Sequence, residues 1–529
     1  MLTLFFLLFN ITTMSKTNKT ELIKALIVKH SNEQKKLNFK SLIDEIKNLS
    51  LKDKVALSGM GEILNITCAM PKHILEKKMK AQNEMATLDL NFKANVSDNP
   101  LLDAFPEKTF PHTSGGMSIV PPPMLPIASE VLSHIPRTTR SVAYINVPFC
   151  QTRCSFCMFY IAPYKKEESK RFADAVIKEI AMWDGLESQS SRKIQALYLG
   201  GGTPTALEAC DLYRIIKSAK DYLPLANDVE ITVEGRVSYF DEEKIEACLK
   251  AGANRFSLGV QTFDTKCRQA LGRISTQDEL ISHLSKLTSY DEAAVVIDLI
   301  FGLPNQSLDS FEKDLKIALD LNLSGLDLYQ LIMLEHSPLE KIKKANPNLK
   351  MPDKQDRARL YEFGCNFLER NHLRQLSISH FARSTKERNL YNVLAKSDAD
   401  TLAFGPGAGG KIQGLSFLNK RTYEDYLKDI EQNKKPIAMM FMPSRYFSLY
   451  KDLGEKLELG YIDRKAIFKK HNLDIMNLAS EVFEQWQEAK LLTIDERYIN
   501  LNLAGLFYSV TMSQLLQNYL IHKLEPRNS

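Results

Sequence analysis

The chain is 529 residues long, enough for about two to four domains. Hydrophobic residues make up 44% and charged residues 25%, which is ordinary for a globular protein and excludes fibrous or wholly disordered classes. Eight cysteines are too few for a disulfide-stapled secreted scaffold, and a net charge of +5, from 69 Lys+Arg against 64 Asp+Glu, does not mark a nucleic-acid binder.

In chain order, Leu2–Phe9 is apolar but short of the roughly 20 residues a membrane span needs. No Lys or Arg precedes Lys16 to form the basic start of a signal peptide. Residues 1–13 read as an upstream start ahead of Met14, the alternative being a weak anchor or uncleaved signal. A cytoplasmic location without stable membrane insertion follows. Residues 14–100 hold 15 Lys, no Arg and 10 Asp+Glu, so the whole excess charge sits there. Apolar spacing predicts helices at Leu22–Lys29, behind Thr20, and Phe39–Leu49, behind Asn38. Residues 1–100 are thus expected to be an N-terminal extension, helical or partly mobile. A linker rich in turn formers, 101–140, should pack on the core; it contains Pro106, Gly115-Gly116 and Pro121-Pro122-Pro123.

From Ser141 short apolar runs alternate with amphipathic stretches. The predicted strands are Ala143–Phe149, Ala196–Gly200, Val229–Val233, Arg255–Val260, Val295–Phe301 and Leu326–Ile332. The predicted helices are Glu167–Trp183, Leu207–Ala219, Glu242–Lys250, Thr276–Leu287 and Ser307–Leu321. Strands apolar on both faces, such as Val295-Val296-Ile297, belong in a parallel sheet covered by helices. Six βα units fall short of the eight of a closed barrel. The expected fold is therefore α/β, a partial (β/α)6 TIM barrel over 141–340, with its active site at the C-terminal strand ends. A core-completing segment, 341–420, follows, with a long helix at Lys354–Arg370 and the Gly-rich run Phe404–Gly410. Residues 421–529 should form a helix-rich, winged-helix-like C-terminal domain with short strands such as Tyr498–Leu503.

The densest chemistry is Cys150, Cys154 and Cys157, directly after the first strand. Three thiolates in eight residues can ligate three irons of a [4Fe–4S] cube and leave the fourth open for a small-molecule ligand. A structural zinc site would need a second ligand pair at characteristic spacing, and none is evident. The remaining cysteines, Cys68, Cys210, Cys248, Cys267 and Cys365, are scattered; Cys210 and Cys248 lie on helical stretches and read as ordinary buried residues.

The strand, the C-x3-C-x2-C loop and Phe156 within it resemble the radical SAM superfamily. The start Tyr144-Ile-Asn-Val-Pro-Phe-Cys resembles the oxygen-independent coproporphyrinogen III oxidase family, with similarity over about 140–415. The resemblance assigns a [4Fe–4S] cluster to Cys150, Cys154 and Cys157 and one or two molecules of S-adenosylmethionine (SAM) as cofactor. SAM-site residues carried over are Tyr144, Phe156, Gly201, Gly202 and Thr203 of the run Gly200–Pro204, Glu234, Gln261, Arg273 and Asp298, with Ile332 as an apolar adenine contact. In such enzymes SAM chelates the open iron, and one electron cleaves its sulfonium C–S bond to give a radical.

Within the superfamily, Leu376–Arg383 and Thr401–Gly410 resemble porphyrin-linked members. Cys157-Met-Phe-Tyr160, Phe404–Gly410 and Met440-Phe-Met-Pro443 resemble the anaerobic haem-degrading radical SAM methyltransferases. That resemblance implies a haem or porphyrin substrate, methyl transfer to a meso carbon, opening to a linear tetrapyrrole, iron release and an electron donor such as flavodoxin. Two segments depart from neighbouring branches. Coproporphyrinogen oxidases carry Asn-Phe-Gln-Gly-Tyr-Thr where this chain reads Asn392-Val-Leu-Ala-Lys-Ser. Haem chaperones carry His-Asn-x-x-Tyr-Trp, but here Arg388-Asn389-Leu390-Tyr391-Asn392 lacks the His and Trp. The alternatives left are a haem chaperone on the same fold and a coproporphyrinogen III dehydrogenase. His336 and His380 are the candidate axial haem ligands.

Overall fold

The computed structural model describes residues 5–7, 61–63, 91–106, 115–157, 159–333 and 337–525. The helices expected at Leu22–Lys29 and Phe39–Leu49, and His336, lie outside these. Phe5–Leu7 and Gly61–Ile63 pair as a short antiparallel ladder.

The core is one large sheet. Its strands in chain order are β1 (Met117–Ile119), β2 (Ser141–Val147), β3 (Ile194–Gly201), β4 (Leu225–Gly235), β5 (Arg255–Gln261), β6 (Ala294–Phe301), β7 (Gly325–Gln330), β8 (Arg374–Gln375), β9 (His380–Ala382), β10 (Asp400–Phe404), β11 (Gly409–Ile412), β12 (Leu415–Asn419) and β13 (Ile437–Pro443). The order across the sheet is β8-β9-β7-β6-β5-β4-β3-β2-β10-β11-β12-β13-β1. Strands β2 to β7 are the six parallel strands expected. They are joined by helices α1 (Lys166–Ala181), α2 (Ala209–Tyr222), α3 (Glu242–Ala251), α4 (Gln277–Ser289) and α5 (Leu308–Asp320). Every residue of β5 is buried, as a parallel strand covered on both faces requires. The caps are written locally. Thr276 and Glu279 form a capping box on α4, and Gly252, at φ 107°, ends α3 where a Cβ would be strained.

The sheet does not stop after six strands. A seventh parallel strand, β10, pairs with β2 on its far side, Ala403 opposite Tyr144. The antiparallel run β11-β12-β13-β1 then extends it. At the other end β9 lies antiparallel to β7, His380 opposite Asp327. No ladder among the described residues joins the two edges, so the barrel is open.

After helix α6 (Lys354–Arg370) and the short α7 (Leu390–Lys396), the C-terminal region has its own core around Trp486, Phe483 and Leu457. Its elements run α8 (Phe447–Leu459), β14 (Tyr461–Asp463), α9 (Arg464–His471), α10 (Ile475–Glu488), β15 (Leu492–Ile494), β16 (Tyr498–Leu501) and α11 (Leu503–Leu524). The small sheet has the order β14-β16-β15, a winged-helix arrangement. Residues 91–106 are seated on it rather than on the barrel alone. Trp486 Nε1 donates to the Phe92 carbonyl at 2.8 Å, Gln485 Nε2 to Ala94 at 2.8 Å, and Tyr508 to Leu101 at 3.0 Å.

One face of the parallel strands packs apolar residues against the helices; the inward face is polar. Strand alternation places Tyr144, Tyr198, Thr232, Glu234, Ser257 and Asp298 on that inward face, linked by cross-strand register. Its lower end is plugged by the segment 384–396. Arg255, 2% exposed, pairs with Glu387 through Nε at 3.0 Å. His380 sits between Asp327, 2.9 Å from Nδ1, and Glu387, 3.2 Å from Nε2. The Glu230 carboxylate accepts the Leu390 and Tyr391 amides, each at 3.0 Å. Burial opposes charge on His380, but Asp327 and Glu387 together outweigh it and hold its pKa up at about 9. His380 is therefore a fully buried, doubly paired cation and not an axial haem ligand, which corrects that expectation.

Glu387→Ala strands Arg255 and His380 without their shared anion. We expect a stability loss of about 3–5 kcal/mol, read as a drop in the denaturation midpoint; a loss below about 1 kcal/mol would show that the plug does not hold the barrel base.

Candidate active site

The first parallel strand ends in Pro148, which cannot continue a ladder, and the chain turns out into the cysteine loop. Phe149–Cys150 pairs in parallel with Ala162–Pro163, closing the loop at its neck. Its turns are held by Cys157 N donating to the Cys154 carbonyl at 3.2 Å and Phe159 N donating to Cys157 Sγ at 3.3 Å. Segments that follow the neighbouring strands clamp it. Ser155 N donates to Leu271 at 3.1 Å, Leu339 N donates to Ser155 at 2.8 Å, and Arg236 Nη1 donates to Thr152 Oγ1 at 2.9 Å.

Cys150 and Cys154 are buried and Cys157 is half-buried, all as free thiols. Burial raises the Cys150 thiol pKa, partly opposed by the Thr203 hydroxyl, which donates to its sulfur at 3.4 Å, and by Arg236. A buried thiol of this kind ionises when a metal takes the charge. Among the described residues no three His, Cys, Asp or Glu close around one metal ion. A single zinc would need that convergence, whereas an iron–sulfur cube takes one thiolate per iron.

Beside the loop, at the C-terminal ends of the strands, is a cradle of glycines and unpartnered polar atoms. Gly201 has φ 104°, and a Cβ there would stand 2.2 Å from Asn146 Oδ1; at Gly202 it would stand 2.4 Å from the Phe149 carbonyl. Neither position admits a side chain. Glu234 is half-buried on the strand. Burial and then Asp298 push its pKa up to about 8, against the Gly201 amide and Tyr198 hydroxyl that stabilise its anion. Burial and Asp327 likewise raise Asp298. Gln261, non-glycine yet at φ 71°, and Arg273 end the set. Gln261 Oε1 and Arg273 Nε are buried with no hydrogen-bond partner, although the guanidinium also donates to the Gly259 carbonyl and lies 5.9 Å over the Phe156 ring. Two neighbouring half-buried acids, an orphaned acceptor and an orphaned donor are costly without a ligand. They fit one that carries positive charge as well as donors and acceptors, as SAM does.

The structure brings together ten of the sequence-predicted residues around one strand end: Cys150, Cys154, Cys157, Tyr144, Gly201, Gly202, Thr203, Glu234, Asp298 and Gln261. Phe156 lies within the cysteine loop, and Arg273 reaches across from the Gly259 carbonyl to its ring. Ile332 is half-buried two residues past the end of β7, while its neighbour Leu331 packs in the apolar group with Ile300 and Phe156. Cys210 is exposed, not buried as read from its helix; Cys248 is buried, its thiol pushed up to about 12.

Sequence reasoning missed Asn146, Tyr198, Arg236 and Tyr391. The Tyr144 hydroxyl donates to Asn146 Oδ1 at 2.9 Å, and Asn146 Nδ2 donates to the Pro406 carbonyl at 2.6 Å, tying the strand to the Gly-rich hairpin. Tyr198 stacks on Tyr391 at 4.6 Å and on Tyr144 at 6.2 Å. Asn146, Tyr198 and Arg236 carried a signal, being polar or amphipathic residues within or just after otherwise apolar strands. Tyr391 carried none, because it arrives from 193 residues further along the chain than Tyr198.

A family model described as the radical SAM superfamily matches residues 144–318. The chain is 44% identical over 311 residues to the anaerobilin synthase of Escherichia coli O157:H7, covering 59% of this chain and 70% of that one. It is 25% identical over 369 residues to the heme chaperone HemW of Bacillus subtilis (strain 168), covering 69% and 95%. Among solved structures, coproporphyrinogen III oxidase (HemN) from Escherichia coli superposes with a TM-score of 0.63 at 21% identity, over 73% of this chain and 91% of that one, which shows a shared fold. The chain is thus a radical SAM enzyme of the family that includes anaerobilin synthase, with a [4Fe–4S] cluster and SAM as its cofactors.

Proposed function

We propose that this enzyme methylates haem with a SAM-derived radical and opens it to a linear tetrapyrrole, with iron release, in the absence of oxygen. The observation that carries the reading is the 44% identity to an anaerobilin synthase over 311 residues. A low-potential electron donor such as flavodoxin and a cytoplasmic setting complete it. Among the described residues no helix is long and apolar enough to cross a membrane.

Each residue then has a physical task. Cys150, Cys154 and Cys157 hold three irons of the cluster. When bound, the cluster supplies the electron that cleaves SAM. Gly201 and Gly202 let the backbone approach the cofactor, and Thr203 holds the Cys150 sulfur. Glu234 and Asp298 meet the positive charge of SAM, while Gln261 and Arg273 offer Oε1 and Nε to its polar groups. Ile332 offers the adenine an apolar contact. Tyr144, Tyr198 and Tyr391 wall the pocket with packed rings, and Phe156 screens the cluster from water.

Reconstitution without oxygen, with haem, SAM and a reductant, tests this. Loss of the Soret band with a methylated linear tetrapyrrole is expected. Stable haem binding without turnover would point to a chaperone instead. Cys154→Ala should abolish both 5′-deoxyadenosine formation and Soret loss, and activity surviving it would sink the radical reading.

The raised carboxylate gives a second test. Below its folded pKa of about 8 Glu234 is protonated and offers SAM no charge; above it the anion forms. Affinity of the cluster-loaded enzyme for SAM should therefore rise between about pH 7 and 9. Glu234→Gln should weaken binding about tenfold and flatten that rise, measured by calorimetric titration.

A further inference from the structure

Strands β11, β12, β13 and β1 continue the sheet past the barrel, and their register fixes which side chains share a face. Thr401 of β10 is opposite both Val142 of β2 and Lys411 of β11. Lys411 is opposite Ser416, Gly409 opposite Leu418, Leu418 opposite Met439, and Phe441 opposite both Ser416 and Ile119. Met117 is opposite Pro443. Because side chains alternate along a strand, Gly409, Leu418, Met439, Phe441, Ile119 and Met117 lie on the face that carries Tyr144, Glu234 and Asp298 in the barrel.

The two faces of this extension differ sharply. On the helix-covered side Phe417 is 1% exposed and Met440 0%; on the inward side Leu418 is 39%, Met439 40%, Ile119 47% and Met117 44% exposed. An exposed strand face is normally polar, so four large apolar residues side by side call for an occupant. The patch reaches the end of the sheet nearest the site through Leu418 and Met439, and runs from there through Phe441 and Ile119, level with Val142, to Met117 one step beyond. Leu418 and Met439 lie at the end of the sheet from which the cysteine loop leaves, since β12 runs parallel to β2. The turn before β11 abuts that loop, because a Cβ on Gly407 would stand 3.3 Å from Ile161 Cδ1. Gly409 leaves the near edge of the patch without a side chain. Three strands at about 4.8 Å spacing and five residues at about 3.3 Å rise give an apolar floor roughly 10 by 13 Å, the scale of one tetrapyrrole face.

We propose that this floor, Leu418, Met439, Phe441, Ile119 and Met117, is the binding platform for the macrocycle face of a porphyrin, placed edge-on to the cluster pocket. This inference rests on the reading of haem as substrate and adds where it is held. The floor gives the flat apolar ring a complementary surface and leaves its polar edge to solvent. It also accounts for the exposed methionines, whose flexible, polarisable side chains adapt to an aromatic plane.

The test is haem titration of the full-length, cluster-loaded enzyme, followed by the Soret band without oxygen. Leu418→Glu and Met439→Glu place a carboxylate under an apolar ring and should each weaken haem binding by about tenfold or more while SAM affinity is retained. Leu418→Met should restore it. Phe468→Glu, an exposed apolar position on α9 of the C-terminal unit (53% exposed), should leave haem and SAM binding unchanged. Wild-type protein that binds and consumes haem while both glutamate variants bind it equally well overturns the platform and leaves the function intact. So does a change in oligomeric state without a change in haem affinity, which would make the face a protein interface. A wild-type protein that neither binds nor consumes haem overturns both readings.

Discussion

The structure depends on one constraint: charges on the inward face of a barrel cannot stay buried without partners. Six strands give this lumen tyrosines and carboxylates where an ordinary α/β protein puts aliphatic side chains. At the lower end the charges find counter-charges from within, although Arg255 Nη2 keeps no hydrogen-bond partner. Arg255, Glu387, His380 and Asp327 pair with one another, and Glu230 caps two amides of the plug. At the upper end the constraint is not met. Glu234 and Asp298 face each other with raised pKa values, and Gln261 and Arg273 keep unpartnered atoms. The contrast is one of charge: opposite charges meet at the lower end, and two carboxylates meet at the upper.

The openness of the barrel serves the same end. A closed eight-strand barrel fills its interior with side chains, which leaves little room beside a cofactor for a large flat substrate. Here β10 to β13 and β1 carry the inward face out to solvent without a break. The polar strands of the barrel and the apolar extension therefore share one face of the sheet. The hinge between them is the Gly-rich turn after β10. Gly405, at φ 92°, admits no Cβ because Asn146 backbone lies 2.3 Å away, so the turn packs directly on the strand that leads to the cysteines.

Much of the site was legible because its chemistry is local. Cys150, Cys154 and Cys157 span eight residues, and Gly201, Gly202 and Thr203 follow directly from one strand. The six parallel strands were legible for the same reason, as buried strands are continuous apolar runs bounded by turns. Strands β10 to β13 were not. They are short, two of them flank glycines, and the pairings that attach the run to the sheet, β10 with β2 and β13 with β1, join segments far apart in the chain. His380 shows the same limit. Its sequence context is a polar histidine near a Gly-rich strand, equally compatible with a haem ligand; only the arrival of Asp327 and Glu387 from other segments makes it a buried cation.

The sequence by itself determined the parallel half-barrel, because buried strands and their following turns are written locally, and its resemblance to a known family supplied the cofactors. Tertiary structure alone decided which charges are satisfied and which wait for a ligand, and that the sheet continues as an apolar floor facing the same way as the pocket. Both are matters of which distant segments meet. A residue's partner, unlike its own hydropathy, is not written beside it in the chain.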